Sequence, residues 1–138
     1  MFNTVYDCSG NGYNGSAIGN LNINSDSPRY SKSLEFDGLT DGILIENLPL
    51  SNIYNSTCTI NFWIKPKDEN GKRSVYFGSY SGISWSIEKN TSNKLRLYWN
   101  GNPDISTSLD ITDNIWQMIT ITKNGTNNIK VYKNGILI

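Results

Sequence analysis

The sequence predicts an all-β fold, built as a two-sheet antiparallel sandwich. Three observations carry that expectation. Apolar and polar residues alternate with a period of two in residues 57–66, 116–123 and 129–133, as in strands with one face in a core and one in or near solvent. Turn signals recur about every 8–12 residues, the spacing of short antiparallel strands. Asn, Ser, Thr and Gly dominate the polar positions, which suits turns and solvated sheet faces and works against helices.

Taken in order, residues 7–15 (Asp-Cys-Ser-Gly-Asn-Gly-Tyr-Asn-Gly) form a loop, because three glycines and two Asn-Gly pairs supply positive φ angles in quick succession. A first strand is expected over residues 17–23. Residues 34–36 and 42–45 read as a hairpin around Asp37-Gly38, with Phe36, Ile43 and Ile45 inward. Residues 48–55 are a connection. In the strand over 57–66, Ile60, Phe62 and Ile64 face the core while Asn61, Trp63 and Lys65 face away. A charged turn at 67–72 leads to strands near 74–78, 83–88 and 94–100, separated by residues 90–93 and by Asn100-Gly101. Residues 102–114 read as a looser stretch anchored by Leu109 and Ile111, before the strands at 116–123 and 129–133. No stretch fits a helix of normal length.

Composition narrows the function classes. The 138 residues hold 12 basic and 12 acidic side chains, a net charge of zero, so the field that gathers nucleic acid or an anionic membrane is missing. Nucleic acid is therefore not an expected partner, and the apolar runs of three or four residues are far too short for membrane insertion. The first residues, Met-Phe-Asn-Thr-Val-Tyr, lack the basic and apolar regions of a signal peptide. Cys8 and Cys58 show no framework spacing, so their pairing is left open. Asn-x-Ser/Thr triplets at Asn14, Asn55, Asn90 and Asn124 are no more than so Asn-rich a chain produces by chance.

Four segments, in order, carry a resemblance: residues 7–15; Leu-Glu-Phe-Asp-Gly at 34–38 followed by Asp-Gly-Ile-Leu-Ile at 41–45; Thr-Ile-Asn-Phe-Trp-Ile-Lys-Pro at 59–66; and Trp116 through Tyr-Lys-Asn-Gly at 132–135. Together they resemble the laminin-G-like, concanavalin A-type lectin/glucanase jelly roll. The resemblance implies two antiparallel sheets and roles that range from sugar-binding modules and adhesins to structural parts of phage tails. Domains of that family continue beyond the Tyr-x-Asn-Gly turn. The expectation is therefore a single domain over residues 1–138 that lacks its last strands and belongs to a larger multidomain protein.

The chemistry available is limited. With no histidine, a Ser-His-Asp triad, a Cys-His pair and a His-rich zinc site are all impossible. The resemblance implies that polysaccharide-cleaving relatives use Glu-x-Asp-x-Glu on one strand, so that acid and nucleophile flank one glycosidic bond. Glu35-Phe-Asp37 is the nearest approach and lacks the third member; a non-catalytic chain is expected. Asp37, Asp41 and the Asp7 loop offer hard oxygen ligands for a structural Ca²⁺. The competing reading is that these Asp and Gly residues only form turns. In the pentraxin branch of the fold, calcium ligands follow the strand equivalent to residues 75–78; here Ser-Tyr-Ser-Gly at 79–82 occupies that place.

The aromatic residues are the remaining signal. Alternation puts Trp63, Tyr98 and Tyr132 opposite aliphatic neighbours, with Arg96 and Asn61 beside them and Met118 and Thr120 sharing the outer face. Rings flanked by amide and guanidinium donors suit the mixed apolar and hydroxylated surface of a sugar. Trp85 and Trp116 read as core. The expected function is thus a carbohydrate-binding, lectin-like module of an extracellular, cell-surface or virion protein, with a neutral oligosaccharide or cell-surface glycan as ligand. The alternative is a structural or adhesive domain of a phage tail or bacterial surface protein that binds no sugar, since large residues on a second sheet face also pack beneath loops or against a neighbouring subunit.

Overall fold

The computed structural model describes residues 3–29, 32–48, 57–67, 74–79, 85–99, 105–125 and 128–138. The chain divides into two compact units, Met1–Leu50 and Ser51–Ile138. Strands are antiparallel throughout, and no helix occurs among the described residues. The expected connection at 49–55, most of the charged turn at 67–72, and the Asn100-Gly101 signal lie outside the described residues.

In the first unit, β1 (Thr4–Val5) pairs with β2 (Gly15–Ile18), which pairs with β5 (Gly42–Ile45); β3 (Asn22–Asn24) pairs with β4 (Ser33–Glu35). Two sequence expectations are corrected here. The single strand over 17–23 is two strands belonging to different sheets, because Gly19 turns the backbone to φ 76° and buried Leu21 anchors the chain between them. The hairpin around Asp37-Gly38 does not form: β4 and β5 pair with β3 and β2 instead. The cause lies in the Asp37 side chain. Its Oδ1 accepts the amide N–H groups of Leu39, Thr40 and Asp41 at 2.8, 2.9 and 3.0 Å, holding a loop wider than a two-residue turn. Phe36 and Ile45, expected inward, are 42% and 41% exposed, whereas Ile43 is half-buried.

The second unit holds two four-stranded sheets. One runs β10 (Ile105–Asp110), β9 (Lys94–Trp99), β8 (Trp85–Lys89), β7 (Ser74–Ser79); the other runs β13 (Ile136–Leu137), β12 (Asn128–Lys133), β11 (Gln117–Asn124), β6 (Cys58–Ile64). The alternation read from the sequence sets the faces. Buried Ile119, Ile121 and Val131 line one side of the second sheet, and buried Ile87, Leu95 and Leu97 line one side of the first. Phe62 of β6 meets Phe77 of β7 at a centroid distance of 4.8 Å and Tyr76 at 6.2 Å. Both rings reach Phe62 because β7 bulges between Val75 and Phe77, so that two consecutive residues escape strict alternation. This is the all-β, two-sheet antiparallel sandwich that the sequence predicts.

Two strands exceed the expectation. Residues 105–110, read as loose, form β10, and Leu109 and Ile111 are buried as expected. β13 joins β12 through Asn134-Gly135, whose φ values of 50° and 83° make the left-handed two-residue hairpin turn. Of the expected core tryptophans, Trp85 is buried and Trp116 is half-buried. Cys8 and Cys58 are not joined by a disulfide.

Candidate functional site

The β6–β11–β12–β13 sheet presents its side chains in cross-strand rows. Core-facing residues occupy one set: Ile121 lies opposite Ile60 on one side and Val131 on the other, and Phe62 lies opposite Ile119. The outer face then follows from the two-residue period. Trp63 lies opposite Met118; Asn61 lies opposite Thr120, which lies opposite Tyr132, which lies opposite Leu137; Thr59 lies opposite Thr122, which lies opposite Lys130. Trp63 and Tyr132 are half-buried and Asn61 is exposed.

Two hydrogen bonds order this face. Asn61 Nδ2 donates to Thr120 Oγ1 at 2.5 Å, which turns the Asn61 carbonyl oxygen away from Thr120. At the edge, the Met118 N–H donates to Asn134 Oδ1 at 2.9 Å while the Asn134 N–H donates to the Met118 carbonyl at 2.9 Å. β11, which runs between the strands of Trp63 and Tyr132, is thus tied to β6 on one side and to the β12–β13 turn on the other. A ring, an oriented amide and a second ring share one non-core surface, an arrangement able to stack on apolar sugar faces and accept hydroxyl protons between them.

Not all the expected residues join them. Tyr98 and Arg96 stand on β9, in the other sheet, opposite Ser86 and Glu88. The single aromatic face expected from the sequence is therefore two faces, since alternation assigns a residue to a side of its own sheet and says nothing of which sheet the strand joins. Arg96 is engaged: its Nη1 donates to Glu88 Oε1 at 2.7 Å, and Ser86 Oγ donates to Glu88 Oε2 at 3.5 Å. Glu88 is fully buried, and a buried carboxylate is tolerated only when paired in this way. That guanidinium balances a buried charge. Arg96 and Tyr98 thus belong to the other sheet and not to the face that carries Trp63 and Tyr132.

The candidate calcium ligands are also employed. Asp7 accepts the N–H groups of Ser9 and Tyr13 at 2.7 and 3.0 Å and the Ser9 hydroxyl at 2.8 Å. These bonds, those from Ser9 foremost, hold its carboxyl below the usual carboxylate range. Asp37 gathers the three loop amides and the Thr40 hydroxyl, the Leu39 amide foremost, which drives its carboxyl far below that range. Asp41 accepts the Asn20 N–H at 2.7 Å and the Asp37 N–H at 3.0 Å. Among the described residues no group of three or more His, Cys, Asp or Glu is placed to hold a metal ion. In the structure these oxygens accept the amides of their own turns and of Asn20.

Lys130 and Leu137, like Thr59 and Thr122, are outer-face residues that the sequence reading did not name. Lys130 stands two residues before Tyr132, so the same period that placed the tyrosine would have placed it. Leu137 could not be placed without β13, whose pairing depends on the Asn-Gly turn.

Comparison with known proteins agrees with this architecture. A solved structure, the binding domain of botulinum neurotoxin DC in complex with SialylT, superposes with a TM-score of 0.65 at 27% sequence identity, over 96% of this chain and 35% of that one. The chain thus spans about a third of that relative's length. No curated protein sequence matches the chain. The family model of the concanavalin A-like lectin/glucanases superfamily, of laminin G type, matches residues 36–138, which include all eight strands of the second unit together with β5. The chain belongs to the concanavalin A-like lectin/glucanases superfamily.

Proposed function

We propose that this chain is a non-catalytic carbohydrate-binding module, and that its ligand surface is the outer face of the β6–β11–β12–β13 sheet. The observation that carries the reading is the placement of Trp63, the Asn61–Thr120 pair and Tyr132 on one side of one sheet, away from the aliphatic core. Core packing does not account for those rings. Membership of a lectin-type superfamily and similarity to a binding domain solved with SialylT support the same reading. A binding role fits the carboxylates as well: Glu35 lies in β4 while Asp37 is bound up in the loop that follows, so the two do not flank a substrate from one strand. The proposed setting is the exterior of a cell or virion, where glycans are met.

The test is a glycan array followed by titration of wild type and Trp63→Ala. Loss of a stacking ring removes ~1–3 kcal/mol by analogy with other aromatic stacking sites, which weakens binding by roughly 5- to 150-fold. The circular dichroism spectrum and unfolding midpoint should stay close to those of wild type. Equal binding by the variant would reject the face as a ligand surface. A second reading is favoured by one observation: Leu137, opposite Tyr132, is 54% exposed, and Ile136 is 70% exposed. An apolar edge beside the rings suits a protein partner in a structural or adhesive assembly. Self-association or pull-down that depends on Leu137, with no hit on the array, would select it.

A further inference from the structure

We infer that the ligand of this face is an acidic glycan, with a carboxylate-bearing sugar seated at its Tyr132–Lys130 end. The inference rests on the reading of the face as a sugar site and adds which sugars it takes. The chain's net charge of zero is not the charge of this surface. The four strands of the sheet carry Lys123, Lys130 and Lys133 and no Asp or Glu.

Those lysines divide by face. Lys123 is buried on the core side, and Lys133, opposite Ile119, also points there, its Nζ donating to the Asp110 carbonyl at 2.7 Å and to Thr112 Oγ1 at 3.2 Å. Lys130 alone among the three is on the outer face, exposed, with Thr122 and then Thr59 as its cross-strand neighbours. With no carboxylate on those strands, its ammonium is not neutralised by the strands of the sheet, and its field extends to whatever lies on them.

Placement selects the ligand further. Lys130 and Tyr132 are two residues apart on one strand, so their attachment points are about 7 Å apart. A sugar stacked on the Tyr132 ring can therefore extend a carboxylate to the ammonium, which reaches out on a flexible four-carbon stem. Trp63 stands two strands away and one row along, about 12 Å from Tyr132 by strand spacing and rise. One sugar ring cannot touch both aromatics, so the ligand is an oligosaccharide, with the Asn61 carbonyl oxygen between its two ends. An isolated surface lysine would say nothing of a ligand. Here it adjoins a ring on strands that carry no carboxylate, in a chain similar to a domain solved with a sialylated ligand.

The experiment is calorimetric titration of the full chain with lactose and with sialyllactose, at low and high salt, in wild type, Lys130→Gln and Lys130→Arg. Wild type should bind sialyllactose about 2- to 5-fold more tightly than lactose at low salt, as expected of one exposed charge pair. Added salt and Lys130→Gln should bring the ratio towards one, and Lys130→Arg should keep it. Equal affinity for the two sugars in wild type, with both weakened by Trp63→Ala, would overturn the acidic-ligand inference and leave the sugar-binding face standing. A preference for sialyllactose that survives in Lys130→Gln would overturn the role of Lys130. Binding of neither sugar, together with an empty glycan array, would overturn the carbohydrate reading itself.

Discussion

The first fifty residues and the rest of the chain are both β-structure, yet they are held by different forces. In Ser51–Ile138 the strands run to eight residues, and the buried side chains include Ile87, Leu95, Leu97, Ile119, Ile121 and Val131. Among the described residues of Met1–Leu50 no strand exceeds four residues, Leu21 is the buried large apolar residue, and Ile18, Ile23, Phe36, Leu39 and Leu44 are exposed. What orders that region is a set of carboxylates accepting loop amides: Asp7 in the 7–14 loop, Asp37 in the 36–41 loop, and Asp41 reaching across to Asn20. Burial scales with apolar area and tolerates local variation, whereas a capped loop depends on a few short contacts. The two regions should therefore fail in different ways.

The largest effect should come from the core of the second unit. Ile121 is 1% exposed at the centre of β11, opposite Ile60 on one side and Val131 on the other. Ile121→Ala should cost about 2–5 kcal/mol of global stability through lost burial and the cavity left behind. Urea unfolding followed by tryptophan fluorescence would measure it, and a loss below about 1 kcal/mol would mean that this core collapses around deletions and is less sharply packed than its burial indicates.

A smaller effect is expected at Gly19. Its φ of 76° is a conformation that side-chain-bearing residues adopt at a cost, and a Cβ there would strike Asp41 Oδ1 and lie 3.0 Å from the Thr40 carbonyl. Gly19→Ala should lose about 1–3 kcal/mol locally, and its signature is where the loss appears. Hydrogen exchange should accelerate at Asn20, whose N–H is bonded to Asp41, while Ile119 and Ile121 keep their protection. Equal acceleration in both units would show that they unfold as one.

The same contrast governs what the sequence could reveal. Alternation in residues 57–66, 116–123 and 129–133 was legible because each strand has one buried and one outward face, and the structure keeps the inward set of Ile60, Phe62, Ile119, Ile121 and Val131 on one side. The outward set, Trp63, Asn61, Thr120 and Tyr132, was legible for the same reason. Partner choice was not. Tyr98 obeys the same alternation but belongs to a strand that hydrogen-bonds into the other sheet, and nothing local in residues 94–99 encodes that. In the first unit, Asp37-Gly38 has the composition of a tight hairpin turn. Its outcome depended on the carboxylate capturing three amides beyond it, a competition between side-chain and ladder hydrogen bonds that dipeptide statistics do not resolve.

The smallest effect we predict is a titration confined to the first unit. The amides of Leu39, Thr40 and Asp41, with the Thr40 hydroxyl, favour the ionised form of Asp37, so its carboxyl is held well below the unfolded value of about 3.9. For a carboxylate depressed on folding, the contribution to stability is fully present above the unfolded pKa and disappears as pH falls from there through the folded pKa, because protonation then favours the open loop. Protection factors of the Leu39, Thr40 and Asp41 amides should therefore be level from neutral pH to about 4 and fall below it. Asp7 shifts in the same direction and should produce a parallel fall at Ser9 and Tyr13. In Asp37→Asn the carboxylate is gone at every pH, so protection at the three loop amides should start lower and vary less on acidification, narrowing the gap to wild type. The amides of β11 serve as the internal reference, since no carboxylate lies on that strand or on β6 or β12 beside it. A gap between wild type and variant that stays constant down to the lowest pH at which the protein remains folded would show that the Asp37 side chain orders its loop by shape and not by charge.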